Sequence, residues 1–218
     1  LVPGGYDAPR APSTIDRLLV RKRIVNRLLC LLLAAFLSVA ALAKPAQSAD
    51  AVVTTMTEQV LAQGALTDAV SIKALVESAV MPHVDFRAMT ARAVGPRWRT
   101  ANEDQRARLM AGFEALLIRT YAGALSEAGG ARFRLKRSAA VDASTTEVWS
   151  DVTVRGGREP IALNYRLALQ DDRWKIVDVS VLGVWMVATY QTQFARVMER
   201  SGGIDGLIQE LEARSKAP

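Results

Sequence analysis

The histidine, the cysteine and the carboxylates decide first what chemistry this chain can perform. There is one histidine, His83, beside Pro82, and one cysteine, Cys30. A lone imidazole in a turn supplies neither a second metal ligand nor the base of a nucleophilic dyad, so His83 reads as a surface or capping residue. The glycine pairs 129-130 and 156-157 lack the spacing of a phosphate-binding loop and read as turns. One route remains open: Asp151, Tyr165 and Asp178 could converge from three strands, as in a small enzyme on a cone-shaped α+β fold that transfers protons with one buried acid. No partner that would tune such an acid is visible beside them. The expectation is a protein with no catalytic residues, no metal and no cofactor.

Charge narrows the partners. The 218 residues carry a formal charge of +6, but residues 1–49 hold seven Lys or Arg against two Asp, which leaves 21 basic and 20 acidic residues from Asp50 onward. A nearly neutral body lacks the concentrated cationic surface that phosphate backbones require, which argues against nucleic acid. One local patch stands out in "RFRLKR" (132–137), where Arg132, Arg134 and Lys136 alternate. It is either a solvated strand face or a contact for a lipid headgroup or protein partner.

The N-terminal charge belongs to a targeting signal. "RKRIVNR" (21–27) is cationic, "LLCLLLAAFLSVAALA" (28–43) is apolar, and small residues offer cleavage after Ala43, Ser48 or Ala49. This is the pattern of a secretory signal peptide over 21–49; the apolar run is shorter than the ~20 residues of a spanning helix. Residues 1–20 read as a disordered or untranslated extension, with the start expected near Val20. Cys30 lies inside the apolar run rather than at its end, where a lipoprotein acceptor would sit. The exported chain then has no thiol, and its core must hold it together without disulfides.

The single domain predicted over 50–218 begins with helices. Helical spacing appears over 50–64 through Val53, Met56, Val60 and Leu61, and again after Thr67 as an N-cap, through Ile72, Leu75 and Val76 until Pro82. Asp85 caps a helix carrying Phe86, Met89 and Val94, which Gly95-Pro96 stops. The longest helix starts near Asn102 with the stripe Leu109, Phe113, Leu116, Leu117, Tyr121 and Leu125. Periodicity then changes to two. Strands over 131–141, 145–155, 158–170 and 173–183, turning at Gly156-Gly157 and Asp171-Asp172, form a four-stranded antiparallel meander. A helix over 184–200 and a short one through Leu207, Ile208 and Leu211 complete an α+β domain with helices on the apolar face of a curved sheet.

The run "MPHVDFRAMTARAVGPRWRTANEDQRARLMAGFEALLIRTYAGAL" (81–125), followed by "NYRLALQDDRWKIVDVSVLGVWMVATYQTQFARVMERSGGIDGLIQEL" (164–211), resembles the MlaC family of toluene-tolerance proteins. The resemblance extends from about Val70 to Leu211. Its most specific pieces are Pro82, Asp85 to Met89, Gly95 to Trp98 with Gln105 after it, Tyr121, and "WKIVDVSVLGV" leading to Tyr190 and Phe194. Two departures fall at the strand–helix hinge: Gln191 stands where the family usually has Arg, and Trp185 where a small polar residue is common.

The resemblance implies a periplasmic phospholipid shuttle that serves an outer-membrane lipoprotein complex and an inner-membrane ABC transporter and so maintains outer-membrane lipid asymmetry. Such a monomeric carrier encloses acyl chains in an apolar pocket with a polar rim. Spacing offers as lining Met89, Val94, Phe113, Leu117 and Tyr121 from the helices and Val152, Val154, Tyr165, Leu167, Val177 and Val179 from the sheet. Val184, Val187, Tyr190 and Phe194 would come from the hinge and the helix after it. Trp98 reads as a packing anchor. A carrier of another apolar cargo, such as a hopanoid or organic solvent, and the small enzyme named above are the alternatives.

Overall fold

The computed structural model describes residues 47–64, 66, 68–157 and 159–216. The predicted extension, the signal peptide up to residue 46 and the Thr67 cap therefore lie outside the described residues, while the last three positions of the predicted signal, 47–49, run into the first helix. Helix α1 (Ala49–Ala62) is capped by Ser48, whose hydroxyl accepts from the Ala51 N–H at 3.2 Å. Its apolar residues Val52, Val53 and Met56 are buried against the sheet residues Val148, Tyr165, Leu167 and Ile176. Helix α2 (Ala69–Leu75) is capped by Asp68. It runs on through a π-helical turn (Val76–Val80) into a 3-10 turn (Met81–His83). Ser78 donates to the Ala74 carbonyl at 2.7 Å, a back-bond that bends helices at such places, and Pro82 has no N–H to continue the ladder.

Helix α3 (Phe86–Val94) starts where the sequence predicts, with the Asp85 carboxylate accepting from the Ala88 N–H at 2.8 Å. Asp85 also fastens this start to the sheet: its own N–H donates to the Ile176 carbonyl at 2.9 Å, and its second oxygen accepts from Gln170 at 2.6 Å. Gly95 leaves the helix at φ 72, in a region where only glycine is unstrained, and a 3-10 turn (Gly95–Arg99) follows. Helix α4 (Glu103–Ser126) opens with a full capping box between Asn102 and Gln105.

The sheet has five strands rather than four, in the order β1 (Arg132–Ala140), β2 (Thr145–Thr153), β3 (Ile161–Gln170), β4 (Arg173–Val181) and β5 (Val184–Trp185), all antiparallel and open at the edges. Two further corrections apply to the connections. Gly156-Gly157 does not make a tight hairpin, because β2 ends at Thr153 and β3 starts only at Ile161. The segment from Val184, expected to be helical, first pairs back on β4 through Val181↔Val184 and Ser180↔Trp185. Asp171-Asp172 is the predicted tight turn, with both residues at positive φ (45 and 59), as a two-residue primed hairpin demands.

Helix α5 (Met186–Arg200) buries Val187, Tyr190, Phe194, Val197 and Met198 along one stripe, and α6 (Ile204–Lys216) buries Leu207, Ile208 and Leu211. The helices α4 and α6 approach closely enough that a Cβ on Gly112 would lie 2.8 Å from the Leu211 Cβ. No helix among the described residues is long and apolar enough to cross a membrane.

Candidate functional site

The interior is split. One buried cluster is helical and gathers Phe86, Met89, Val94, Phe113, Val187, Tyr190 and Phe194 with the α6 residues. Phe113 is its centre, with ring centroids 5.6 Å from Phe86, 4.9 Å from Tyr190 and 5.2 Å from Phe194. The second cluster lies between α1 and the sheet. Residues 80–84 run past both, and Val84 packs against each.

The predicted lining residues separate accordingly. Met89, Val94, Phe113, Val187, Tyr190 and Phe194 form the closed helical core, and Tyr165 and Leu167 the closed sheet core. Leu117, Tyr121, Val152, Val154 and Val179 are only half-buried, and Val184 is 60% exposed. Val177 is fully buried but is the extra residue of a β-bulge, since Arg166 pairs with Asp178 while Leu167 pairs with Ile176. Ile176, not Val177, shares the inner face with Val179.

Depth along α4 is the informative feature. Leu109 and Phe113 are fully buried, whereas Leu116, Leu117, Tyr121 and Leu125, on the same stripe, are left partly exposed. Phe133, Leu163 and Val179 are the corresponding half-buried apolar side chains of the sheet cluster. Burial and then the neighbouring Tyr190 push the Tyr121 hydroxyl up. Each layer thus carries a lip of partly exposed apolar side chains beside its closed core.

The carboxylates do not assemble with Tyr165. Tyr165 pairs with Val148 and Val179 on the inner face, while Asp151 and Asp178 occupy outward register positions opposite Ala162 and Arg166. Burial pushes the Tyr165 hydroxyl up to about 12. Asp178, 4% exposed, accepts from the N–H groups of Val179 and Val187 at 2.9 and 3.1 Å. It serves as a cap for α5, whose own N-cap Trp185 supplies no side-chain bond; burial nevertheless raises its pKa. Asp151 accepts from Arg134 and Lys136, each at 2.9 Å, and these cations hold its pKa down. Two of the three predicted headgroup contacts are therefore engaged within the chain, while Arg132 is exposed. His83 is half-buried, and burial, then the Lys175 charge, lowers its pKa.

A surface hollow of about 510 Å³ lies elsewhere, lined by Arg92, Gly95-Pro96, Trp98 and Arg99 on one side and by Val187 and Gln191 of α5 on the other. Of the predicted site residues only Val187 touches it. Arginine spacing alone would have marked it, because residues 86–102 hold four arginines and no acid.

Similarity to known proteins agrees with this architecture. The family model described as "MlaC protein" matches residues 47–213. A solved structure of a phospholipid-binding protein from Ralstonia solanacearum, in complex with a phospholipid, shares 35% identity and a TM-score of 0.72, covering 78% of this chain and 97% of that one.

Proposed function

Because the chain belongs to the MlaC family, we propose that it is a phospholipid-binding protein of the periplasm that shuttles lipid between the outer and inner membranes. In this reading it exchanges cargo with an outer-membrane lipoprotein complex and an inner-membrane ABC transporter of the Mla type, and residues 21–49 are the signal that exports it.

The observation that carries the binding function is the split interior, with half-buried apolar lips on α4 (Leu116, Leu117, Tyr121) and on the sheet (Phe133, Leu163, Val179). Acyl chains laid between such lips gain about 0.8 kcal/mol for each methylene removed from water. Affinity then needs no charged recognition and transport no catalytic residue. The fully buried members of the predicted lining set fix the lips rather than touch cargo. The similarity to the Ralstonia solanacearum protein, which holds a phospholipid, supports phospholipid as that cargo.

The test is native mass spectrometry with lipid extraction on residues 47–218 purified from bacterial periplasm without detergent. Co-purifying phospholipid is the expected result; a hopanoid or other apolar cargo would replace the lipid assignment. A protein that arrives empty and refuses added phospholipid would refute binding. Transfer from outer- to inner-membrane vesicles then tests the shuttle role separately.

A further inference from the structure

The 510 Å³ hollow between the 3-10 turn and α5 plays no part in the acyl lips, and its chemistry differs from theirs. Its wall is fixed. The guanidinium groups of Arg87 and Arg106 stand 5.6 and 5.5 Å from the Trp98 ring centroid. Arg106 donates to the Trp98 carbonyl at 3.3 Å, and Glu103 holds both arginines through ion pairs. Gly95 lets the wall close on α5, where the Gln191 side-chain amide stands 3.5 Å from the position a Cβ would take.

The remaining arginines of the segment are unspent. Arg92 and Arg99 line the hollow, and neither they nor Arg97 make an ion pair or side-chain hydrogen bond among the described residues. Arg92 lies within electrostatic reach of Asp178 but makes neither an ion pair nor a hydrogen bond with it, so the guanidinium's donors stay available to a ligand. The whole chain from Asp50 onward is almost neutral, with 21 basic against 20 acidic residues, whereas residues 86–102 hold four arginines and no acid. Planar guanidinium forks around a rigid aromatic wall suit a phosphate, which they bind bidentately. Trp98, Pro96 and Val187 add apolar surface for an organic substituent.

We propose that this hollow binds a phosphate-class anion through Arg92 and Arg99, with Gln191 as a neutral donor, independently of acyl-chain binding. The phosphate can come from a phospholipid headgroup or from free phosphate. Both sources are probed without acyl chains, using glycerophosphoglycerol and inorganic phosphate, by NMR titration of the Trp98 indole and Gln191 amide signals. At least one probe should shift these signals saturably. The tighter of the two identifies the source.

The R92A/R99A double variant should bind at least about tenfold more weakly, and R92K/R99K should fall between it and the parent because lysine keeps charge but loses the fork. Both arginines are exposed, so the variants should fold, and R99A alone serves as a milder change. No saturable shift with either probe, or equal affinity in R92A/R99A, overturns the proposal. Since neither probe carries an acyl chain, that outcome leaves the lipid-binding test untouched.

Discussion

Phe113 and Leu117 sit one turn apart on the same stripe of α4, and truncating each to alanine separates core from cargo surface. Phe113 is fully buried against three aromatic rings, so F113A should cost about 3–5 kcal/mol. For a domain of this size that lowers Tm by roughly 10 °C or more. Leu117 is half-buried. Removing its three outer carbons, at about 0.8 kcal/mol each when fully covered, should cost only about 1 kcal/mol in the empty protein. If an acyl chain covers the other half when bound, L117A loses a further ~1 kcal/mol of lipid contact, about a fivefold fall in affinity. Thermal unfolding of delipidated protein reads the first quantity, and displacement of a fluorescent phospholipid reads the second. F113A should melt early yet load normally while folded; L117A should do the reverse. If L117A melts as early as F113A and binds lipid like the parent, the stripe is core throughout and the reasoning about the lips is wrong.

Other perturbations test the frame that holds the lips. G112A drives a Cβ to 2.8 Å from the Leu211 Cβ; the overpacking cost of about 1–3 kcal/mol should outweigh the gain of up to ~1 kcal/mol in helix propensity, so calorimetry should show a lower Tm. For Asp178 the folded pKa lies above the ordinary carboxylate value, so the native state binds the proton more strongly than the unfolded chain. Its contribution should be most favourable below the ordinary range and decline as pH rises through the window up to the raised value. The stability difference between parent and D178N in urea should follow that slope, and a flat difference refutes it. R134A/K136A removes both partners of Asp151, whose side chain is 8% exposed; its carboxyl should then titrate higher by NMR, and an unchanged titration would mean that the bridges do not form in solution.

Much of the frame was legible because local chemistry dictates it. The caps at Asp85 and Asn102, the turn at Asp171-Asp172 and the helical stripes each follow from residue types at fixed offsets, and all appear in place. The bulges at Lys136 and Val177 were not. In "WKIVDVSV" apolar residues occupy both parities, so an inserted residue leaves no mark on the alternation. The site was harder to read for a related reason. Periodicity tells which face of a helix turns inward, not how deep each residue goes, and Phe113 and Leu117 are identical by that measure. The arginine-rich segment was readable in composition, but a whole-chain charge count averages it away.

The placement of the polar ties explains how a split interior can remain one fold. The Asp85 N–H donates to the Ile176 carbonyl, Gln170 donates to the Asp85 carboxylate, Lys175 to the Pro82 carbonyl, and the Val187 N–H to Asp178. All four join the helical layer to β4 or to the adjoining end of β3. Helix α4 is tied instead to α6, through Gln105 to Asp205 and Arg108 to Glu212. The helical layer is thus pinned along β4, while α4 is pinned to α6, in its far half through Arg119, which donates to the Arg214 carbonyl at 2.9 Å. Hydrogen bonds hold their geometry to a few tenths of an ångström, whereas partly buried apolar contacts are non-directional. Under the proposed binding mode, strain from an inserted acyl chain would therefore fall on the contacts that cost least to rearrange, those of Leu116, Leu117 and Tyr121. The closed aromatic core around Phe113 packs on the helices α3 and α5 that are pinned to β4, so in that binding mode it would not reorganise on loading. This asymmetry lets one small domain keep a stable core beside a yielding surface.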